Sequence, residues 1–255
     1  MKTAAVLDLM NRVVVRGVAG ERASYRPIHS DLTRETNPEA VARALLAAFP
    51  LETLYIADLD AIAGEEPNWP AYETLLTLGV ELWIDAGVAD AAGARRLAQF
   101  HTAKGRGIDR VIVGLESLAA RAELSAVIET LSSRRAVFSL DLKQGRPLST
   151  IDVWRDATPI EIAAEAIAAG FSSLIVLDLA GVGVGRGVAA LELCRRIKSD
   201  HPQVQLVSGG GVRDREDLRR LAECGCDVAL VASALHDGRL SRADLLAAAA
   251  IAPPS

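Results

Sequence analysis

Aromatic side chains are scarce: Phe, Trp and Tyr together make up 4% of the chain, while 50% of its residues are hydrophobic. The core must therefore be aliphatic, which suits a parallel sheet buried on both faces, whose strands read as continuous apolar runs. Cysteine is scarce too. Cys194, Cys224 and Cys226 lack metal-ligand spacing, and Cys224-Gly225-Cys226 is tighter than the usual CxxC pair. They predict reduced thiols used for packing. No apolar run reaches the roughly 18 residues that span a bilayer, so no membrane partner is expected. The start, Met1-Lys2-Thr3-Ala4-Ala5-Val6-Leu7-Asp8, meets charge before a secretory core could form, which predicts a cytoplasmic protein. A net charge of −5 with no basic stripe argues against nucleic acid as a partner. His29, His101, His201 and His236 show no pairing suited to zinc, and no nucleotide P-loop, nucleophile elbow or dinucleotide fingerprint is present. Neither a metal nor a cofactor is expected.

What the chain does have is nearly the same passage twice. Leu7-Asp8-Leu9 returns as Leu140-Asp141-Leu142, each closing an apolar run. Leu54-Tyr55-Ile56-Ala57-Asp58-Leu59 answers to Leu174-Ile175-Val176-Leu177-Asp178-Leu179, and Trp83-Ile84-Asp85-Ala86-Gly87-Val88 to Val207-Ser208-Gly209-Gly210-Gly211-Val212. The offsets, 118 to 133 residues, are half a molecule and far longer than a solenoid repeat. Four strand–helix units, duplicated, make eight. The expected architecture is a single α/β domain, a (β/α)8 TIM barrel spanning 1–255, with half-barrels at about 1–131 and 132–255. Strands are expected near 4–9, 53–58, 81–85, 110–114, 136–142, 173–178, 204–208 and 227–232. Helices fit near 37–48, 70–78, 90–102, 120–131, 159–169, 187–199, 214–224 and 241–250, several with N-cap signals at Asn37, Thr158 and Asp214.

Chemistry is expected where strands end. Asp8 and Asp141 sit at the mouths of strands one and five, across the barrel from each other. Two opposed carboxylates can pass protons to and from one substrate when their environments separate their pKa values. The plain alternative for a strand-end Asp is capping of loop amides. Ser208-Gly209-Gly210-Gly211 follows strand seven and Ala232-Ser233 follows strand eight, the place where barrels commonly seat a phosphate. A simple tight turn is the alternative. In the duplicate of this cradle stands Asp85-Ala86-Gly87, and Glu116 follows strand four. Carboxylates there repel a phosphate and suit a cation, an amine or hydroxyls, unless they merely cap the helices that follow. Asp58, Asp60 and Asp178 end strands two and six, with loop-holding roles the alternative. The long loops 11–36 and 143–158 bring Arg16, Arg22, Tyr25, Arg26, Lys143 and Arg146 as candidates to clamp an anion, and with the glycine-rich 179–187 they are candidate lids.

Together these segments resemble the histidine-biosynthesis barrel family, the ribotide isomerase (HisA) and the cyclase of imidazole glycerol phosphate synthase (HisF), from about Ala4 to Leu246. The carrying motifs are Leu7-Asp8-Leu9 with Val13-Val14-Val15-Arg16, Tyr55 to Ala61, Leu140-Asp141-Leu142 and Val207 to Val212. The resemblance implies that Asp8 and Asp141 act as base and acid in an Amadori rearrangement or a cyclisation. It also implies two substrate phosphates held by the two halves. Three positions depart from it: Leu177 replaces a threonine, Val182-Gly183-Val184 an Asp-Gly-Thr loop, and Ala232 the glycine of strand eight. With Asp85 and Glu116 in the first half, the chain is similar to a divergent subgroup linked to methanopterin-dependent one-carbon metabolism. The expected ligand is a small phosphorylated metabolite other than the histidine-pathway ribotide. The readings left open are authentic ribotide isomerisation, a step of methanopterin-type cofactor synthesis, and a non-catalytic scaffold. The expected state is a monomer or small homo-oligomer, with room for a partner subunit as in the family's cyclase.

Overall fold

In the computed structural model, which describes residues 1–183 and 187–251, eight parallel strands alternate with eight helices. The strands are β1 (Lys2–Met10), β2 (Thr53–Asp58), β3 (Glu81–Asp85), β4 (Arg110–Gly114), β5 (Ala136–Lys143), β6 (Ser173–Asp178), β7 (Gln205–Gly209) and β8 (Val228–Val231). Each pairs with the next in parallel, and β8 returns to β1 with Lys2 opposite Val228 and Ala5 opposite Val231. The barrel is closed, so no strand edge is left open to other chains. The helices are α1 (Pro38–Ala48), α2 (Trp69–Leu76), α3 (Ala91–Gln99), α4 (Glu123–Leu131), α5 (Pro159–Ala168), α6 (Leu191–Asp200), α7 (Arg215–Glu223) and α8 (Arg242–Ala249).

Local chemistry starts these helices where the sequence signals it. Asn37 Oδ1 accepts from the Ala40 amide at 2.9 Å ahead of Pro38, Thr158 and Glu161 form a reciprocal capping box, and Asp214 accepts from Asp217 N at 3.0 Å. Asp90 caps α3 through Gly93 N at 2.8 Å, which frees Asp85 from that task. Three boundaries differ from expectation by three residues or more: α3 ends at Gln99 and not near 102, α4 begins at Glu123 and not near 120, and α6 begins at Leu191 and not near 187, Gly187 at φ +85° lying off the helical path. Val184 and Gly185 of the glycine-rich loop lie outside the described residues.

Side chains along each strand alternate between two aliphatic clusters. Leu7 and Leu9 of β1, Leu54 and Ile56 of β2, and Leu140 and Leu142 of β5 pack outward against the helices. Ala4, Tyr55, Trp83, Ile112, Val137, Ile175, Val207 and Leu230 fill the lumen. The N-terminal end of the lumen is closed by Arg110, which stacks 4.7 Å over the Trp83 ring and donates to Ser173 and Gln205.

The same alternation corrects three expectations. In register, Leu9 stands opposite Asp58, Leu142 opposite Asp178, and Val176 opposite Ser208. All three polar residues therefore share the helix-facing side with leucine and valine and do not point into the mouth. Asp58, fully buried, receives the Tyr72 hydroxyl, the Asn68 amide (2.8 Å) and the Ala61 amide (3.3 Å). Asp178 receives the amides of Gln144, Gly145 and Ala180 and so holds the fifth loop. Ser208 donates to the Val176 carbonyl at 2.8 Å. Asp60 is a loop tie too, accepting from Asn11 N at 2.7 Å.

Truncating Asp58 strands a buried hydroxyl and a loop amide, each costing about 1–3 kcal/mol. Asp58→Ala is expected to lower the unfolding free energy by about 3 kcal/mol in urea titrations. A loss below about 1 kcal/mol would show that these bonds contribute little.

Candidate functional site

A cavity of about 450 Å³ opens at the C-terminal end of the barrel strands. Asp8, Asp85, Glu116 and Asp141 all line it, joined by Tyr55 from β2. Their arrangement follows from register. Asp8 stands opposite Ala57, and Ala57 opposite Asp85, so one small side chain on β2 separates two acids on the lumen faces of β1 and β3. Two strand spacings put their backbones about 10 Å apart. Asp85, 9% exposed, accepts from the Tyr55 hydroxyl and from the Gly87 amide, both at 3.2 Å. Asp141, 7% exposed, accepts from the Ser139 hydroxyl at 2.7 Å.

Withdrawal from water decides the protonation of this group. Burial pushes the Asp8 carboxyl up to about 7, helped by the Asp85 charge and opposed by the Gly17 backbone and Arg22. Burial also lifts Asp85 to about 6, with Glu116 adding to the shift and Gly87 and Tyr55 opposing it. Asp141 is driven well above the usual carboxylate range, first by burial and then by the Asp85 and Glu116 charges. Tyr55 is held well above an ordinary phenol by burial and by Asp85, Asp141 and Asp8, so it remains a hydrogen-bond donor. Asp8, Asp85 and Asp141 thus all hold their protons above the usual carboxylate range, with burial the first cause in each.

The far side of the cavity has a different character. Gly210, Gly211, Ala232 and Ser233 line it, with Arg239 beside them. Gly211 has φ +100°, and a Cβ there would lie 2.6 Å from the Gly187 carbonyl, so only glycine makes this turn. Gly209, expected to share the cradle, is not part of the lining; its backbone is pressed against Leu230 of β8.

The first loop lies over the mouth. Its residues Val13–Arg16 form a short antiparallel strand on β1, with Val15 opposite Asp8. Beyond it, Gly17 approaches so closely that a Cβ would stand 2.7 Å from Asp8 Oδ2. Ala19 N donates to the Val182 carbonyl at 2.8 Å, Arg22 pairs with Glu116 at 3.0 Å, and Lys143 with Glu21 at 3.1 Å. Arg16, Arg22, Tyr25 and Lys143 all line the cavity. Of the residues singled out from the sequence, the structure thus gathers Asp8, Asp85, Glu116, Asp141, Arg16, Lys143, Gly210, Gly211, Ala232 and Ser233, and leaves Asp58, Asp178, Ser208 and Gly209 outside. Tyr55 and Arg239 were not foreseen. Tyr55 shares the lumen parity of Ala57, a readable signal; Arg239 follows a short helix, Ser233–His236, and carried none.

Closed eight-stranded barrels with titratable groups at the C-terminal mouth form a class of catalytic scaffold, and this chain is one of them. More narrowly, it belongs to the family described as histidine biosynthesis protein, whose model matches residues 3–241. It is 30% identical, over 96% of its length and 98% of the relative's, to an uncharacterized protein of Methanocaldococcus jannaschii. A Deinococcus radiodurans relative, 32% identical over 85% of this chain and 90% of its own, is named 1-(5-phosphoribosyl)-5-((5-phosphoribosylamino)methylideneamino)imidazole-4-carboxamide isomerase. A Natronomonas pharaonis protein of the same name is 29% identical over 92% of both chains. The chain is therefore a barrel enzyme of this family. No helix among the described residues is long and apolar enough to cross a membrane.

A carboxyl whose folded pKa lies above its unfolded value stabilises the fold fully below the unfolded pKa, and that contribution is lost as pH rises through the folded value. For Asp85 and Asp8 the window runs from about 4 to about 7. Calorimetric melting temperatures are expected to fall across this range. Asp8→Asn should flatten the fall and melt higher than the parent on its alkaline side; an unchanged slope would place the Asp8 carboxyl in water.

Proposed function

We propose that the protein is an isomerase-type enzyme that rearranges a small phosphorylated metabolite by proton transfer between Asp8 and Asp141. One observation carries the reading. The two aspartates come from equivalent strands of the duplicated halves, line a single cavity, and both hold their protons above the usual carboxylate range. Asp8, raised to about 7, takes the proton from carbon beside the reacting centre. Asp141, whose carboxyl burial also raises, delivers one to the departing or carbonyl oxygen. Reverse transfers complete an aldose-to-ketose rearrangement, or set up a ring closure, with no net proton consumed. Gly210 and Gly211 offer backbone amides, and Ser233 a hydroxyl, as the seat for one phosphate. Loop one closes over the reacting atoms and excludes water that would divert the intermediate.

The relatives' names support the same class of reaction and also a second reading, that the substrate is their ribotide itself. Asp85 speaks against that reading, because the ribotide carries a phosphoribosyl group at each end.

Asp8→Asn and Asp141→Asn are each expected to lower turnover by about 100-fold or more while leaving the circular dichroism unchanged. The assay follows rearrangement of a panel of 5-phosphoribosyl N-glycosides, the relatives' ribotide included. Near-parental rates in either variant would remove the acid–base pair from the mechanism.

A further inference from the structure

Because the chain is duplicated, the turn after β7 and the turn after β3 are two copies of one feature, and both open on the same cavity. One copy reads Gly209-Gly210-Gly211, and the other reads Asp85-Ala86-Gly87. The first presents amides and no side-chain charge. In the second, a carboxylate stands at the position that Gly209 holds after β7.

Asp85 is not a loop cap with its charge spent elsewhere. Asp90 takes the capping role for α3. Glu116, the other acid of this half, is neutralised by Arg22 at 3.0 Å. Asp85 is nine-tenths buried and lines the cavity, and among the described residues no basic side chain forms an ion pair with it. Of the other cations lining the cavity, Lys143 pairs with Glu21 and Arg239 with Asp237 at 2.7 Å, while Arg16 acts on His236 and Asp237 beside Ser233 and forms no ion pair with Asp85. The Arg22 charge reaches Asp85 without pairing with it, so a ligand that brings a cation into contact relieves the remaining cost of burying the carboxylate.

Tyr55 fixes how that carboxylate is used. Its hydroxyl donates to Asp85 Oδ2 at 3.2 Å while Gly87 N occupies Oδ1 at the same distance. Each oxygen thereby has one fixed donor and retains a lone pair for another. The phenol remains protonated, so it supplies a hydrogen and never competes for one.

We propose that Asp85, oriented by Tyr55, sets the substrate class of this site: a metabolite with a phosphate at one end and a basic nitrogen at the other. The inference rests on the proposed phosphate seat at Gly210, Gly211 and Ser233. A second phosphate would meet Asp85 with like charge in a space closed to water. A protonated amine meets it with opposite charge and up to three donors. The amine also stands within the field that raises both Asp8 and Asp141, because Asp85 acts on each of them.

The test uses the full chain and three matched probes: ribitol phosphate, the same chain with a terminal amine in place of the far hydroxyl, and the same chain with a second terminal phosphate. Binding is read by titration calorimetry at neutral pH. The parent should hold the aminated probe about tenfold tighter than ribitol phosphate, a difference of about 1.4 kcal/mol, and the bisphosphate no tighter than ribitol phosphate. Asp85→Asn should erase the preference for the amine while leaving the affinity for ribitol phosphate within about twofold. Tyr55→Phe, which keeps the ring and removes only the hydroxyl, should reduce that preference and guards against a folding defect in the first variant. Tighter binding of the bisphosphate by the parent, or an amine preference that survives Asp85→Asn, overturns the proposal while leaving the phosphate seat standing. If none of the three probes binds, the phosphate seat fails and this inference falls with it.

Discussion

Asp8, Asp85 and Asp141 cannot all ionise freely in a space that the barrel and its first loop largely close to water. The remaining properties of the mouth follow from that electrostatic constraint. Burial is the largest influence on each of the three, and the charge of Asp85 raises both of the others. Asp8 is raised to about 7 and Asp85 to about 6, and Asp141 stands well above the usual carboxylate range. Glu116 pairs with Arg22 at 3.0 Å. The stability given up by charging buried carboxyls is the expected companion of a working site.

Two halves of similar strand pattern place Asp8 and Asp141 symmetrically, but identical environments would give identical acids. Symmetry is broken after β3, where Asp85 occupies the place of the glycine turn after β7. One half of the rim offers amides and a hydroxyl, the other carboxylates and a phenol. The first loop reinforces the asymmetry, tying itself to the fourth loop through Arg22, to the fifth through Glu21 and to the sixth through Ala19.

Much of this was legible in the residue order. The apolar runs and cap signals located all eight strands and helices to within a few residues, because continuous aliphatic stretches and N-cap side chains are local properties. Asp8, Asp141, Asp85 and Glu116 were legible as strand-end acids. Asp58, Asp178 and Ser208 were legible only in part. Their position at a strand end suggested the mouth, yet counting by twos from Leu54, Leu174 and Leu206 puts them on the helix-facing side. That count is available without coordinates once the strand bounds are known. The roles of Arg22, Lys143 and Arg239 were not legible, since each depends on a partner or a surface brought close by loop closure.

Strand number, two-residue alternation, the internal duplication and the identity of each strand-end side chain belong to the residue order, because they can be read without knowing where the chain runs in space. Which acids share a cavity, which of them has a paired cation, and how burial shifts their protons arise from folding. Those outcomes depend on how far apart side chains sit across neighbouring strands and how much water remains between them. Both quantities are set when β8 closes against β1 and the first loop settles over Asp8.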